Sequence, residues 1–176
     1  LIRSVGTDSN RLAHTGGTSR EAGVPVAALS VPDADLLHGV LTRQKHARVR
    51  LSLGAKVLGE APSANVVGDV KGSDRPDEIV LLGAHLDSWD LGTGAVDDGA
   101  GCAIVLEAAR LLAAFGKKPK RTIRVVLFAA EEVNGAGSKA YAAAHASEAG
   151  KHVLAMEADS GTDRVYETRW LGSAEG

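Results

Sequence analysis

EIVLLGAHLDSWDLGTGAVDDGAG, residues Glu78–Gly101, holds an apolar run, a histidine, a glycine-rich turn and the start of a helical pattern. The run Glu78–Ala84 has the length and branching of a buried strand and ends at His85, with Asp87 two residues on. Asp97 lies in the glycine-rich turn just before a helical stretch that begins at Asp98. Two further runs repeat the arrangement: Arg121–Ala130 (RTIRVVLFAA) ends at Glu131 and Glu132, and His152–Ala158 (HVLAMEA) ends at Asp159. In open α/β sheets ligands collect beyond the carboxyl ends of strands and at helix starts. His85, Asp97, Glu131, Glu132 and Asp159 are therefore expected to converge on one pocket.

The segments around these runs read as an α/β layer fold. Asp98–Phe115 is an amphipathic helix with Ile104, Ala108, Leu111 and Phe115 along one face, closed by Gly116 and Pro119. Gly137–Ala149 is a second, alanine-rich helix. Ala47–Leu53 alternates apolar and polar residues as a half-buried strand does, and Ala55–Glu60 and Asn65–Val70 read as further strands. Nearer the start, Val24–Val31 reads as a strand and Pro32–Arg43 as a short helix, after a polar, turn-rich opening over Leu1–Gly23. Strand and helix alternate from Glu78 onward, which is the order of an α/β layer fold.

Taken singly, each acid has an ordinary explanation. His85 could be a satisfied polar residue at a strand end, Asp97–Asp98 a helix N-cap with a first-turn acid, Glu131–Glu132 a solvated pair, and Asp159–Ser160–Gly161 a turn. All four explanations would have to hold at the same strand ends. Imidazole and carboxylates instead suit zinc, manganese or cobalt, and a shared carboxylate can bridge two such ions about 3.5–4 Å apart. A phosphate-loop reading fails for want of a Gly-Lys-Ser/Thr ending, and Gly99-x-Gly101 lacks the third glycine of a dinucleotide turn.

GAHLDSWDLGTGAVDDGAG (Gly83–Gly101), KPKRTIRVVLFAAEE (Lys118–Glu132) and MEADSGT (Met156–Thr162) together resemble the co-catalytic dinuclear zinc exopeptidases, most closely their plasma glutamate carboxypeptidase branch. The resemblance is strong from about Ala61 to Thr162. It implies a mixed sheet flanked by helices. It also implies that Leu1–His46 is the tail of a protease-associated-like insert domain and residues 47–176 a partial peptidase domain, with portions of the family fold lying outside both ends.

Roles follow from the same resemblance, position by position. His85 and Asp159 are implied as terminal ligands of one zinc, Asp97 as the bridge between two, and Glu132 as a terminal ligand of the second. Glu131 is implied as the general base and Asp87 as the acid that hydrogen-bonds the ligand imidazole. The Asp97–Asp98 peptide is implied to be cis. The division between the two glutamates makes chemical sense, since one carboxylate must stay on the metal while its neighbour moves a proton. Adjacent strand residues point to opposite faces, so the backbone must turn there, and Asn134–Gly137 supplies a break. No other histidine stands in the motif position of the family's last ligand, so this chain is expected to hold one zinc or none, against two in a complete enzyme.

The expected function is a metal-dependent exopeptidase, of aminopeptidase or carboxypeptidase type, hydrolysing a terminal peptide bond of small peptides through a metal-activated water, with these 176 residues alone expected to show marginal activity or none. The competing expectation is a non-catalytic binding relative of the transferrin-receptor kind, which survival of every metal-type residue in the matched stretch disfavours. A single-zinc glutaminyl cyclase relative is disfavoured by the intact acid set. A net charge of −2 and the lack of a basic patch argue against nucleic acid, and no run is long enough to span a membrane. With 44% hydrophobic residues in 176, one sizeable core can form. Cys102 is the sole cysteine and reads as a small core residue. Relatives of this branch are commonly exported, so a secreted or periplasmic location is expected.

Overall fold

The computed structural model describes residues 2–3, 26–54, 56, 58–89, 92–159, 161, 164–165 and 171. The chain forms two compact units, Leu1–Gly59 and Glu60–Gly176.

In the first unit, β1 (Ile2–Arg3) pairs in parallel with β2 (Ala28–Leu29), followed by helix α1 (Val31–Arg43). Ser30 caps α1: its hydroxyl oxygen accepts from the Asp33 amide, and Pro32 sits in the first turn, where its missing N–H costs nothing. The helix matches its expected span. The strand expected over Val24–Val31 is shorter, because the helix already begins at Val31; Val24 and Pro25 lie outside the described residues. Ala47–Leu53 is not a strand: among the described residues its alternation joins no ladder, and Val49, Leu51 and Leu53 stand exposed. The described residues of Ala55–Glu60 are likewise irregular, while Ala55 and Val57 fall outside the description.

The second unit is a four-stranded mixed sheet. Strands β3 (Val66–Val70), β4 (Arg75–His85), β5 (Arg121–Phe128) and β6 (His152–Glu157) lie in the order β3-β5-β4-β6. β4 runs parallel to both neighbours, and β3 is antiparallel to β5. The central pair is buried on both sides, which is why β4 and β5 read as near-continuous apolar runs and not as alternations. In register His85 faces Phe128, and Gly83 faces Glu157. The three parallel strands thus end level with one another.

Helices cover both faces. α2 (Gly99–Ala114) packs on the side of Ala84, Val125 and Leu127 through Val105, while Tyr141 of α4 (Ala136–Ala144) joins Leu81, Val126 and Phe128 on the other. Between β5 and α4 lies a single helical turn, α3 (Glu131–Asn134), and a 3₁₀ helix (Ala146–Lys151) takes the place of the last turns expected in the alanine-rich helix.

The buried face of α2 differs from expectation. Gly101 and Val105 are buried, with Cys102 and Ala109 packed beside them, whereas Ile104, Leu111 and Phe115 are exposed. The helix lies close against the strand ends: a Cβ on Gly101 would sit 1.9 Å from the Ala158 carbonyl oxygen. Only the small-residue stripe fits that approach, so size and not hydrophobicity selects the buried face.

On the α4 side, the Arg124 guanidinium makes a bidentate pair with Asp69 at 2.8 and 3.0 Å and also donates to the Tyr141 hydroxyl and Glu148. This ties β3, β5, α4 and the 3₁₀ helix together through a half-buried charge network.

Candidate metal centre

His85, at the last position of β4, is 2% exposed and held from two sides. Its backbone N–H donates to Asp98 Oδ2 at 2.9 Å. Its ring Nδ1 lies 3.0 Å from the Asp87 backbone carbonyl. A carbonyl oxygen only accepts, so Nδ1 carries a proton and Nε2 is the ring nitrogen left to face the pocket. That nitrogen faces carboxylates: Asp97 Oδ1 at 3.0 Å, Asp159 Oδ1 at 3.8 Å and Glu131 Oε2 at 4.0 Å.

The donor atoms of His85, Asp97 and Asp159 all lie within 4.8 Å of one another. Ligands on a tetrahedral ion with bonds near 2 Å are roughly 3.3 Å apart, so the three are spaced to share one cation. The convergence expected of them is what the structure has. The Asp97–Asp98 peptide is cis, also as expected. Asp98 caps α2 as well: its Oδ1 accepts from the Gly101 amide at 3.0 Å while its Oδ2 holds His85. Its sequence setting suggested only a helix-start acid, and nothing local signalled the second bond, which reaches thirteen residues back.

The two glutamates arrive by a turn placed differently from expectation. Ala130, just after β5, is left-handed (φ 53, ψ 42), and Glu131 and Glu132 follow in α3, with left-handed Gly135 closing it. The break therefore comes before the pair as well as after it. Helical neighbours diverge by about 100° where strand neighbours oppose, so both side chains can face the pocket.

Asp87 acts otherwise than its resemblance implies. Its carboxylate Oδ1 is 3.8 Å from His85 Nδ1, beyond hydrogen-bond reach, and the ring is served by its main-chain carbonyl. The carboxylate instead accepts from the Glu131 and Glu132 amides at 2.9 and 3.1 Å, clasping the start of α3, whose leading N–H groups have no helical partner.

Electrostatics point the same way as geometry. Burial pushes the Glu132 carboxyl up, and the charge of Asp97 adds to it. Burial likewise raises Asp98. For His85, burial acts downward, yet the Asp87 carbonyl and the charges of Asp98, Asp159 and Glu131 outweigh it and the ring is pushed up. So many carboxylates around one imidazole make a site whose negative charge a divalent cation would relieve. The donor set, nitrogen and oxygen without thiolate, fits zinc and its neighbours. Glu132 stands outside the tight group of three but close enough to feel Asp97. Cys102 takes no part as a ligand: its thiol donates to the His85 carbonyl oxygen at 3.1 Å, and burial pushes its pKa up.

A mixed α/β sheet with an imidazole and carboxylates gathered at the ends of its parallel strands is the make-up of a metal-binding α/β protein. The chain belongs to peptidase family M28, whose family model matches residues 65–173. It is 42% identical to carboxypeptidase Q of Bos taurus over 176 residues, 98% of this chain. It spans 37% of that relative's length. Among solved structures, a peptidase M28 precursor from Shewanella amazonensis SB2B superimposes with a TM-score of 0.79 at 52% identity, over 91% of this chain and 37% of that one. A zinc aminopeptidase from Bacillus subtilis gives a TM-score of 0.50 at 30% identity, over 55% of this chain and 24% of its own. The resemblance read from the motifs is thereby borne out.

Proposed function

We propose that this chain is the metal-holding part of a zinc-dependent exopeptidase that hydrolyses a terminal peptide bond of small peptides. What carries the reading is the convergence of His85 Nε2 with the carboxylates of Asp97 and Asp159, and Glu131 beside them. His85, Asp97 and Asp159 would hold one zinc, and Asp97 with Glu132 would contribute to a second. Zinc bound there supplies Lewis acidity toward a carbonyl oxygen and lowers the pKa of water. Glu131, partly exposed at the rim, takes the proton of the attacking water and delivers it to the leaving amine. Asp87 holds Glu131 and Glu132 in place through their amides, and the Asp87 carbonyl keeps His85 in the tautomer that can ligate.

Residues 1–46 are read as the tail of a protease-associated-like insert domain, and residues 47–176 as part of the peptidase domain. The reading carries an exported location, secreted or periplasmic, which cell fractionation and blotting check. Among the described residues no helix is long and apolar enough to cross a membrane.

The test is hydrolysis of dipeptides and amino-acyl amides by the full-length protein after loading with zinc, cobalt or manganese. Turnover that chelator removes and His85→Ala abolishes supports the proposal. Tight zinc binding with no turnover on either class of substrate would favour the non-catalytic binding relative.

A further inference from the structure

Asn65, just ahead of β3, lies outside every motif considered above, yet it touches both ends of the segment that delivers the two glutamates. Its Oδ1 accepts from the Ala129 amide at 3.0 Å, and its Nδ2 donates to the Gly137 carbonyl at 2.8 Å. Between Ala129 and Gly137 run left-handed Ala130, the α3 turn and left-handed Gly135. Among the described residues Ala130 is the sole non-glycine with positive φ, a backbone that persists only where its surroundings hold it. The main chain closes the same crossover, with Gly137 N–H to the Ala129 carbonyl at 2.9 Å and Ala136 N–H to the Ala130 carbonyl at 3.1 Å. The packing is tight: a Cβ on Gly137 would lie 2.3 Å from Ala129 O and 2.4 Å from Asn65 Oδ1.

We propose that Asn65 is a positioning residue for Glu131 and Glu132, its side-chain amide clamping the two ends of the crossover that presents them to the pocket. An amide is suited to the task because it offers one acceptor and one donor on a short, planar group. Aspartate has no donor for the Gly137 carbonyl, and alanine has neither group. Together with Asp87, which holds the Glu131 and Glu132 amides from the β4 side, Asn65 fixes the crossover from the β3 side. The consequence for catalysis rests on the peptidase reading; the consequence for the crossover does not.

The experiment compares Asn65→Asp and Asn65→Ala with the wild type in the zinc-loaded full-length protein, reading amide hydrogen exchange and peptide hydrolysis. In Asn65→Ala the Ala129 amide should exchange about tenfold faster, and in both variants Ala136 and Gly137 should follow, while Leu81 and Leu82 in β4 keep their protection. Turnover should fall about 10–100-fold with KM within about twofold, since a displaced general base weakens the transition state and not substrate binding. Unchanged protection at Ala129, Ala136 and Gly137 would overturn the proposal. So would an equal loss of protection at Leu81 and Leu82, or a raised KM at unchanged kcat. A wild type without turnover would count against the peptidase reading alone, and the exchange result would then decide Asn65.

Discussion

Replacing Asp98 with alanine removes a carboxylate that is 1% exposed and serves two backbone amides, His85 N at 2.9 Å and Gly101 N at 3.0 Å. Each bond runs to a charged acceptor, a type that contributes about 1.5–3 kcal/mol, and the Gly101 bond also caps a sixteen-residue helix, where losing an aspartate costs about 1 kcal/mol. Those two figures describe the same Gly101 bond and do not add. Burial opposes them, since it pushes the Asp98 carboxyl up, and the variant is relieved of that cost. The net loss for Asp98→Ala should therefore sit near the low end, about 2–3 kcal/mol. For a chain of this size each kcal/mol moves Tm by roughly 2–4 °C, so a fall of about 4–12 °C is expected in a calorimetric melt. Zinc affinity should drop as well, because the backbone that seats His85 loses its anchor. A Tm within about 2 °C of wild type, with zinc binding intact, would refute the argument that this carboxylate joins β4 to α2.

In the full-length protein, Glu131→Gln should keep zinc content near wild type by atomic absorption while lowering peptide turnover by about 10²–10⁴, whereas Asp97→Asn should lose zinc; equal loss in both would undo the division of roles. Calorimetric titration with zinc should give at most one tight site per chain, because three donors meet at His85 and two at Glu132, and His85→Ala should abolish it. Hydrogen bonding from Arg124 holds the Asp69 carboxyl below its usual range, so its contribution to stability is complete above the unfolded value near pH 3.9 and fades as pH falls through the lower folded value. Urea melts of wild type and Asp69→Asn should accordingly differ most at neutral pH and converge in strong acid; a constant gap would rule this out.

The runs ending at His85, Glu131 and Asp159 were legible because buried parallel strands are written as unbroken apolar stretches, and parallel strands in register bring their ends together. The helix after Asp98 was legible in its limits to within a residue at each end, Asp98 and Phe115 proving to be its caps, but not in its orientation. Apolar residues lie all around it, so periodicity could not show that Gly101, Cys102 and Val105 go inward while Ile104 and Leu111 stay out. Ala47–Leu53 carried a strand's alternation but pairs with no strand among the described residues, and pattern without a partner makes no sheet. The roles of Asp87, Asp98 and Asn65 rest on hydrogen bonds spanning between 13 and 72 residues, made to backbone groups that any residue type would present. Nor does alanine at 130 announce a left-handed turn, since Gly135 is the residue a reader would choose.

The proton on His85 Nδ1 is fixed by a main-chain carbonyl and not by a side chain. Every amino acid at position 87 would bring the same oxygen, so the ligating tautomer is inherited with the bend of the chain and survives mutational drift there. What drift at 87 can erase is the grip on Glu131 and Glu132. A lineage losing that aspartate would thus first decouple the proton-transfer side from the metal-holding side, keeping an ion-binding fold whose chemistry has fallen silent.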